Sequence, residues 1–153
     1  AQYFRAFGCR VLGYDPLDFE AEGVTLCPSL EILVAQSDLL SIHINYTPQN
    51  HHIFNDALFV QFKKGCVLIN TSRGSLVDSL ALLKYLENGH LSGAALDVIE
   101  QEHNPADSPL IAYMQTHDNL LITPHIGGNT SESFAKTELF MAKKLQAYFE
   151  KSA

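Results

Sequence analysis

Short apolar runs alternate with polar corners along this chain, and the clearest case lies near its middle. Cys66 to Ile69 is an unbroken apolar run leading into the polar corner Asn70-Thr71-Ser72-Arg73-Gly74, after which residues 80–86 turn amphipathic. A short all-apolar run predicts a parallel strand covered on both faces, with the polar corner at its carboxyl end. Comparable runs predict strands over residues 10–14, 23–26, 38–44, 91–98 and 120–122. Helical spacing marks residues 1–7, a segment behind Ser29, residues 56–62 behind Asn55, residues 78–87, and a last helix over about 130–149. Ser29, Asn55 and Asp78 are natural N-caps. Gly8 and Asn88-Gly89 are natural stops. In the last helix Phe134, Met141, Leu145 and Tyr148 are spaced to share one buried stripe. Residues 100–118 read as a long polar connection broken by proline, a kind of segment that is usually functional.

Strands alternating with helices imply βαβ units, right-handed crossovers and a mostly parallel sheet. Asp15, His43, Arg73, Asp97 and His125 each follow a predicted strand, which places them along one edge of one sheet. That carboxyl edge is where open α/β sheets bind ligands. Arg73 stands out because the guanidinium fork grips a carboxylate through two parallel bonds.

Composition narrows the possible partners. The 153 residues suffice for one domain with one core, and a formal net charge of −7 without any basic run argues against nucleic acid or an anionic membrane. No apolar stretch approaches the ~18 residues of a membrane span. Cys9, Cys27 and Cys66 share no close spacing, which predicts reduced, buried thiols, a cytoplasmic protein and no zinc site. His51-His52 invites a metal reading, but adjacent residues rarely face one ion, so both are expected at the surface and no metal is expected. His90 and His117 read as loop histidines.

Three segments, INTSRGSLVD, GAALDVIEQE and LLITPHIGG, in this order and at these separations resemble the D-isomer-specific 2-hydroxyacid dehydrogenases, a family that includes D-3-phosphoglycerate dehydrogenase. The resemblance covers essentially the whole chain. It implies a Rossmann-type, doubly wound parallel sheet, NAD as cofactor, a small 2-hydroxy or 2-keto acid as substrate, and a homodimer for the intact enzyme. It assigns catalysis to Arg73, Glu102 and His125, and gives Asp97 a contact with the nicotinamide carboxamide. Reducing a 2-keto acid requires hydride on the carbonyl carbon and a proton on its oxygen. Arg73 would anchor the carboxylate and polarise the carbonyl. An imidazole at His125 can exchange the proton. Glu102 would hydrogen-bond that imidazole and fix its tautomer.

Asp15 follows the first predicted strand, where a dinucleotide fold places the acid that binds ribose hydroxyls. Its alternative reading is the starter of an Asp-Pro turn with Pro16. The remaining cofactor-lining candidates are His43, Asn45, Thr71, Ser72, Gly127 and Gly128. Two positions depart from the family pattern, which has proline where this chain has Asn45 and His103. The G-x-G-x-x-G loop that cradles pyrophosphate is not found in the sequence. Residues 1–7 match the helix after that loop, so the chain is expected to be a partial NAD-binding domain, without its first βα unit and without an N-terminal substrate-binding domain. Two readings stay open: the catalytic part of a dehydrogenase, or a non-catalytic NAD-sensing scaffold or inactive remnant of the same fold.

Overall fold

The computed structural model describes residues 1–17, 21–100 and 102–152. A short helix, α1 (Gln2–Ala6), ends at Gly8, whose φ of 81° takes the left-handed turn that glycine adopts without steric cost. Two short strands follow, β1 (Leu12–Gly13) and β2 (Thr25–Leu26), paired parallel with Leu12 opposite Thr25. Helix α2 (Leu30–Gln36) starts where Ser29 Oγ accepts from the Ile32 N–H at 3.3 Å. The chain then winds through β3 (Leu39–Ile42), α3 (Asp56–Phe59), β4 (Cys66–Asn70), α4 (Ser79–Glu87), β5 (Leu91–Leu96), α5 (Pro109–Met114), β6 (Leu120–Ile122) and α6 (Ser131–Ser152).

Strands β3, β4, β5 and β6 form one parallel sheet in that order. Because the order advances in one direction, right-handed crossovers place α3, α4 and α5 together on one face. These helices do contact one another in sequence, and Lys84 of α4 is paired with Asp56 at the start of α3. Caps set the starts: Asn55 Oδ1 accepts from the Leu58 N–H at 3.2 Å, and Asp78 Oδ1 accepts from Leu80 and Ala81 at 3.0 and 3.1 Å. The core lies between sheet and helices, with Phe59, Leu68, Leu82, Leu86 and Leu110 essentially inaccessible. No helix among the described residues is long and apolar enough to cross a membrane.

Four expectations need correcting. Strand β4 is sealed on one face only: Cys66, Leu68 and Asn70 are buried, while Val67 and Ile69 on the other face are partly open. An apolar run reports that both faces are apolar, which differs from both being covered. Strand β1 pairs with β2 and belongs to a separate two-stranded sheet, so Asp15 does not share the edge occupied by the other strand-end residues. The connection after β5 contains a helix, α5, because Pro109 sits at the first helical position, where its fixed φ and missing N–H cost nothing. Leu110 and Tyr113, three apart, bury its inner face. Helix α6 forms as its periodicity predicts, but Phe134, Met141, Leu145 and Tyr148 are 56–66% exposed, so the stripe is not a core stripe. Periodicity identifies an apolar face and is silent on what covers it.

Candidate functional site

The carboxyl edge of the four-stranded sheet carries the polar groups, and a buried side chain shapes its first corner. Asn70, the last residue of β4, is fully buried. Its Oδ1 accepts from the Ser72 N–H at 2.9 Å and its Nδ2 donates to the Arg73 carbonyl at 3.0 Å. One amide thereby closes the Thr71-Ser72-Arg73 turn from within. Ser72 Oγ donates to the Ile44 carbonyl at 2.9 Å, joining this corner to the loop after β3. Thr71 and Arg73 are exposed above it, and Arg73 Nη1 donates to the Ser72 carbonyl at 2.6 Å.

Gly74 continues the corner and is buried against the segment after β5. A Cβ there would stand 2.0 Å from the carbonyl carbon of Ile99 and 2.4 Å from the Glu100 nitrogen. Only glycine admits that approach, so the Arg73 corner and the start of the Glu100 segment lie backbone on backbone.

Asp97 closes β5 and organises the loop after β6. Its Oδ1 accepts from the Ile126 N–H at 3.0 Å and from the Thr123 hydroxyl, and its Oδ2 accepts from the Gly127 N–H at 2.7 Å. Burial works against ionising this carboxyl, but the three donors, with a smaller electrostatic pull from His125, outweigh it and hold its pKa below the usual aspartate value. These bonds bracket His125, which takes a φ of 52°. That conformation costs a non-glycine residue roughly 1–3 kcal/mol and persists where its surroundings fix it; here the surroundings are the Asp97 bonds.

His125 and Glu102 meet. His125 Nδ1 lies 2.9 Å from Glu102 Oε2, with the two side chains 46% and 33% exposed. With the carboxylate at Nδ1, the imidazole carries its proton there and leaves Nε2 as the free position. A second histidine–carboxylate pair uses the glutamate that precedes Glu102 in the sequence: His52 Nε2 is 2.7 Å from Glu100 Oε1.

Other expected site residues are more dispersed. His43 follows β3 on the same edge, exposed, with Nε2 2.9 Å from Ser41 Oγ. Asn45 is exposed and its carbonyl accepts from Asn50 Nδ2 at 2.8 Å. Gly127 and Gly128 are exposed, and Gly128 has a φ of 83°. Asp15 and Pro16 are exposed at the end of β1, and Asp15 Oδ1 accepts from the Leu17 N–H at 2.9 Å, an Asx turn of the sort the Asp-Pro reading anticipates. Sequence reasoning missed Asn70, Gly74 and Thr123 as builders of the site. Asn70 and Gly74 were visible in the corner, but only structure shows which way a buried amide points. The thiols stand outside this chemistry: Cys27 and Cys66 are buried as expected, but Cys9 is exposed just past the end of α1, and burial pushes Cys66 up to about 11.

A parallel α/β sheet with a basic corner, a buried acid and a histidine–carboxylate pair on its carboxyl edge defines a nucleotide-binding type of domain. The comparison with protein families makes this specific. Residues 1–127 match the D-isomer specific 2-hydroxyacid dehydrogenase, NAD binding domain, and the chain belongs to that family. It is 37% identical over 152 residues to the glyoxylate reductase of Korarchaeum cryptofilum, covering 97% of this chain and 44% of that protein. Among solved structures, D-lactate dehydrogenase from Aquifex aeolicus complexed with NAD and lactic acid superposes with a TM-score of 0.83 at 34% identity, covering 98% of this chain and 49% of that one. D-2-hydroxyisocaproate dehydrogenase gives a TM-score of 0.86 at 31% identity, over 99% and 49% of the two chains. The chain thus spans less than half the length of these relatives.

Proposed function

We propose that this chain is part of the NAD-binding domain of a dehydrogenase that moves hydride between NAD(H) and a small 2-hydroxy or 2-keto acid, and that it supplies the groups handling substrate charge and proton. The observation that carries this is the His125–Glu102 pair, 2.9 Å apart, at the carboxyl edge of a sheet in this family. Glu102 holds the Nδ1 proton, so Nε2 of His125 gives a proton to the carbonyl oxygen during reduction and takes it from the hydroxyl during oxidation. The negative charge of Glu102 stabilises the imidazolium between those events. Arg73 follows β4 and His125 follows β6, two strands apart on the same edge, so their backbones stand roughly 10 Å from each other. Two long side chains reaching inward leave room for a small acid. The Arg73 guanidinium, with one N–H committed to Ser72, keeps donors for the substrate carboxylate and draws electron density from the adjacent carbonyl.

NAD, when bound, supplies or accepts the hydride. The polar groups fit it: after β1, apart from the four-stranded sheet, Asp15 offers a carboxylate to ribose hydroxyls; on the edge itself His43, Asn45 and Thr71 are exposed, Ser72 is half-buried, and Gly127 and Gly128 leave the backbone approachable. Asp97 is the candidate for the nicotinamide carboxamide, through lone pairs its three protein donors leave unused. The exposed Asp15 carboxylate favours NAD over NADP, since it would repel a 2′-phosphate. Cytoplasmic residence and a homodimeric intact enzyme complete the proposal, supported by the free cysteines and by family membership.

The test is NADH-dependent reduction of a panel of 2-keto acids, glyoxylate and pyruvate included, by the full-length protein carrying this chain. Reduction of at least one, lost in His125→Ala, is expected. NADH binding without reduction of any of them overturns the catalytic reading in favour of a nucleotide-sensing scaffold.

A further inference from the structure

Outside the Arg73–His125 edge, the fold brings together one cluster of metal-ligating side chains among the described residues. His51, His52 and Glu100 each place a ligand atom within 4.8 Å of the others. The sequence argues against a shared ion because neighbouring side chains ordinarily diverge. Backbone geometry removes that objection. His52 takes a φ of 50°, in the left-handed region that few non-glycine residues occupy. His51, just before it, is extended at φ −56° and ψ 128°. The combination turns both imidazoles the same way, and their rings stack with centroids 3.9 Å apart.

The strained residue is fixed from both sides. The His52 N–H donates to the Ser75 carbonyl at 2.9 Å, and the Phe54 N–H donates to the Leu76 carbonyl at 3.0 Å. A 3-10 turn over Pro48–Asn50, closed by a reciprocal Thr47–Asn50 capping box, leads into the pair. Glu100 arrives from the segment that Gly74 admits. It meets His52 at 2.7 Å, beside a cleft that Asp78, Ser79 and Ser108 also line. The Tyr46 hydroxyl lies 3.5 Å from His51 Nδ1, the position of an outer partner that orients a ligating imidazole.

We propose that His51, His52 and Glu100 form a binding site for a divalent transition-metal ion of the zinc type. Two neutral imidazoles and one carboxylate are a donor set that prefers zinc, nickel, cobalt or copper to magnesium or calcium. Three protein ligands leave one tetrahedral position for water. Ligands about 2.1 Å from a tetrahedral ion lie about 3.4 Å from one another. Closing on an ion asks the exposed His51 ligand atom to move inward from within 4.8 Å of its partners and the His52–Glu100 pair, at 2.7 Å, to open by less than ~1 Å. A bound ion ties the loop of residues 45–52 to the segment leading toward Glu102. No group assigned to hydride or proton transfer takes part, so the site stands or falls separately from the proposed activity.

Zinc titration of the full-length protein by calorimetry, with Cys9→Ser as background to remove the exposed thiol, tests this. One zinc per chain is expected to bind with micromolar affinity. His51→Ala and Glu100→Gln should each weaken it by about tenfold or more. Cobalt bound in place of zinc should show visible ligand-field absorption that His51→Ala removes. Zinc should also raise the melting temperature of the parent but not of His51→Ala. Both substitutions fall on exposed side chains, and melting without metal verifies that each variant folds. Zinc affinity unchanged in both variants, or no saturable binding by the parent, overturns the proposal.

Discussion

The Gly127 N–H donates to Asp97 Oδ2 at 2.7 Å, and a Cβ on Gly127 would stand 2.6 Å from that same oxygen. The residue that completes the Asp97 network is therefore one that cannot carry a side chain without disturbing it. Gly127→Ala should push the carboxylate away and loosen the loop that holds His125 in its left-handed conformation. Asp97→Asn tests the same network from the other side. An amide has one acceptor oxygen where the carboxylate has two, so either Gly127 or the Thr123–Ile126 pair must face an N–H. Leaving such a donor unsatisfied costs about 1–3 kcal/mol. Both variants should melt lower and lose kcat/KM in the intact enzyme. Parent-like melting and kinetics for Asp97→Asn would show that the network does not hold the loop.

Acid stability follows from the same carboxyl. Asp97 has a folded pKa below its unfolded value of about 3.9. Its contribution is fully present above that unfolded value and is lost as pH falls through the folded pKa. The melting-temperature gap between parent and Asp97→Asn should therefore be constant near neutrality and shrink below pH ~4. A gap independent of pH would mean that the charge on Asp97 is not what the three donors stabilise.

The contrast between Asp97 and α6 shows what the sequence could reveal. Strand ends and caps are local: Ser29, Asn55 and Asp78 cap the helices they precede because each bond spans two or three residues. The meeting of His125 with Glu102 was legible only through resemblance, since their 23-residue separation says nothing about distance. The Asp97 grip on Ile126 and Gly127 spans about 30 residues and depends on the loop's own path. Pro109 was misread because a proline marks a helix start as readily as a break. The His52–Glu100 contact, 48 residues apart, hinges on a backbone conformation that histidine rarely adopts.

Gly74→Ala should be among the most damaging single changes in the chain. The new Cβ would overlap the Ile99 carbonyl carbon, at 2.0 Å, and the Glu100 nitrogen, at 2.4 Å. Backbone atoms cannot swing aside as a side chain can, so the two segments must separate. Overpacking of this kind typically costs about 1–3 kcal/mol, occasionally more. Because the displaced segment leads to Glu102, kcat/KM should fall together with the melting temperature. A Gly74→Ala protein with parent stability would place the corner and the Glu100 segment further apart than described.

Catalytic substitutions separate the proposed roles. His125→Ala should lower kcat/KM by on the order of 10²–10⁴-fold, the range for losing a general acid–base. Glu102→Gln keeps an oxygen for Nδ1 but removes the charge that stabilises the imidazolium, so it should cost activity less severely. Arg73→Ala should raise KM and lower kcat for the 2-keto acid while leaving NADH affinity nearly unchanged. Turnover of Arg73→Ala at the parental rate would remove Arg73 from the mechanism.

Taken by themselves, the 153 residues expose two apolar surfaces and an open sheet edge. On α6, Phe134, Met141 and Leu145 are each more than half exposed, and Tyr3 of α1 and Phe7 just after it are exposed by 86% and 85%. Large contiguous apolar patches are rare on monomeric proteins and mark surfaces that meet a partner. Strand β3, at the end of its sheet, has no neighbour on its outer side among the described residues, and an open edge is a template for pairing with another chain. These residues alone should therefore self-associate and bind NAD weakly, with sedimentation showing mass that grows with concentration. Replacing Met141 and Leu145 by lysine should reduce association if the α6 stripe drives it, while leaving far-ultraviolet circular dichroism unchanged, because both side chains are exposed. A parent chain that sediments as a monomer at every concentration, melts cooperatively and binds NAD with micromolar affinity would show that neither the stripe nor the open edge governs its behaviour.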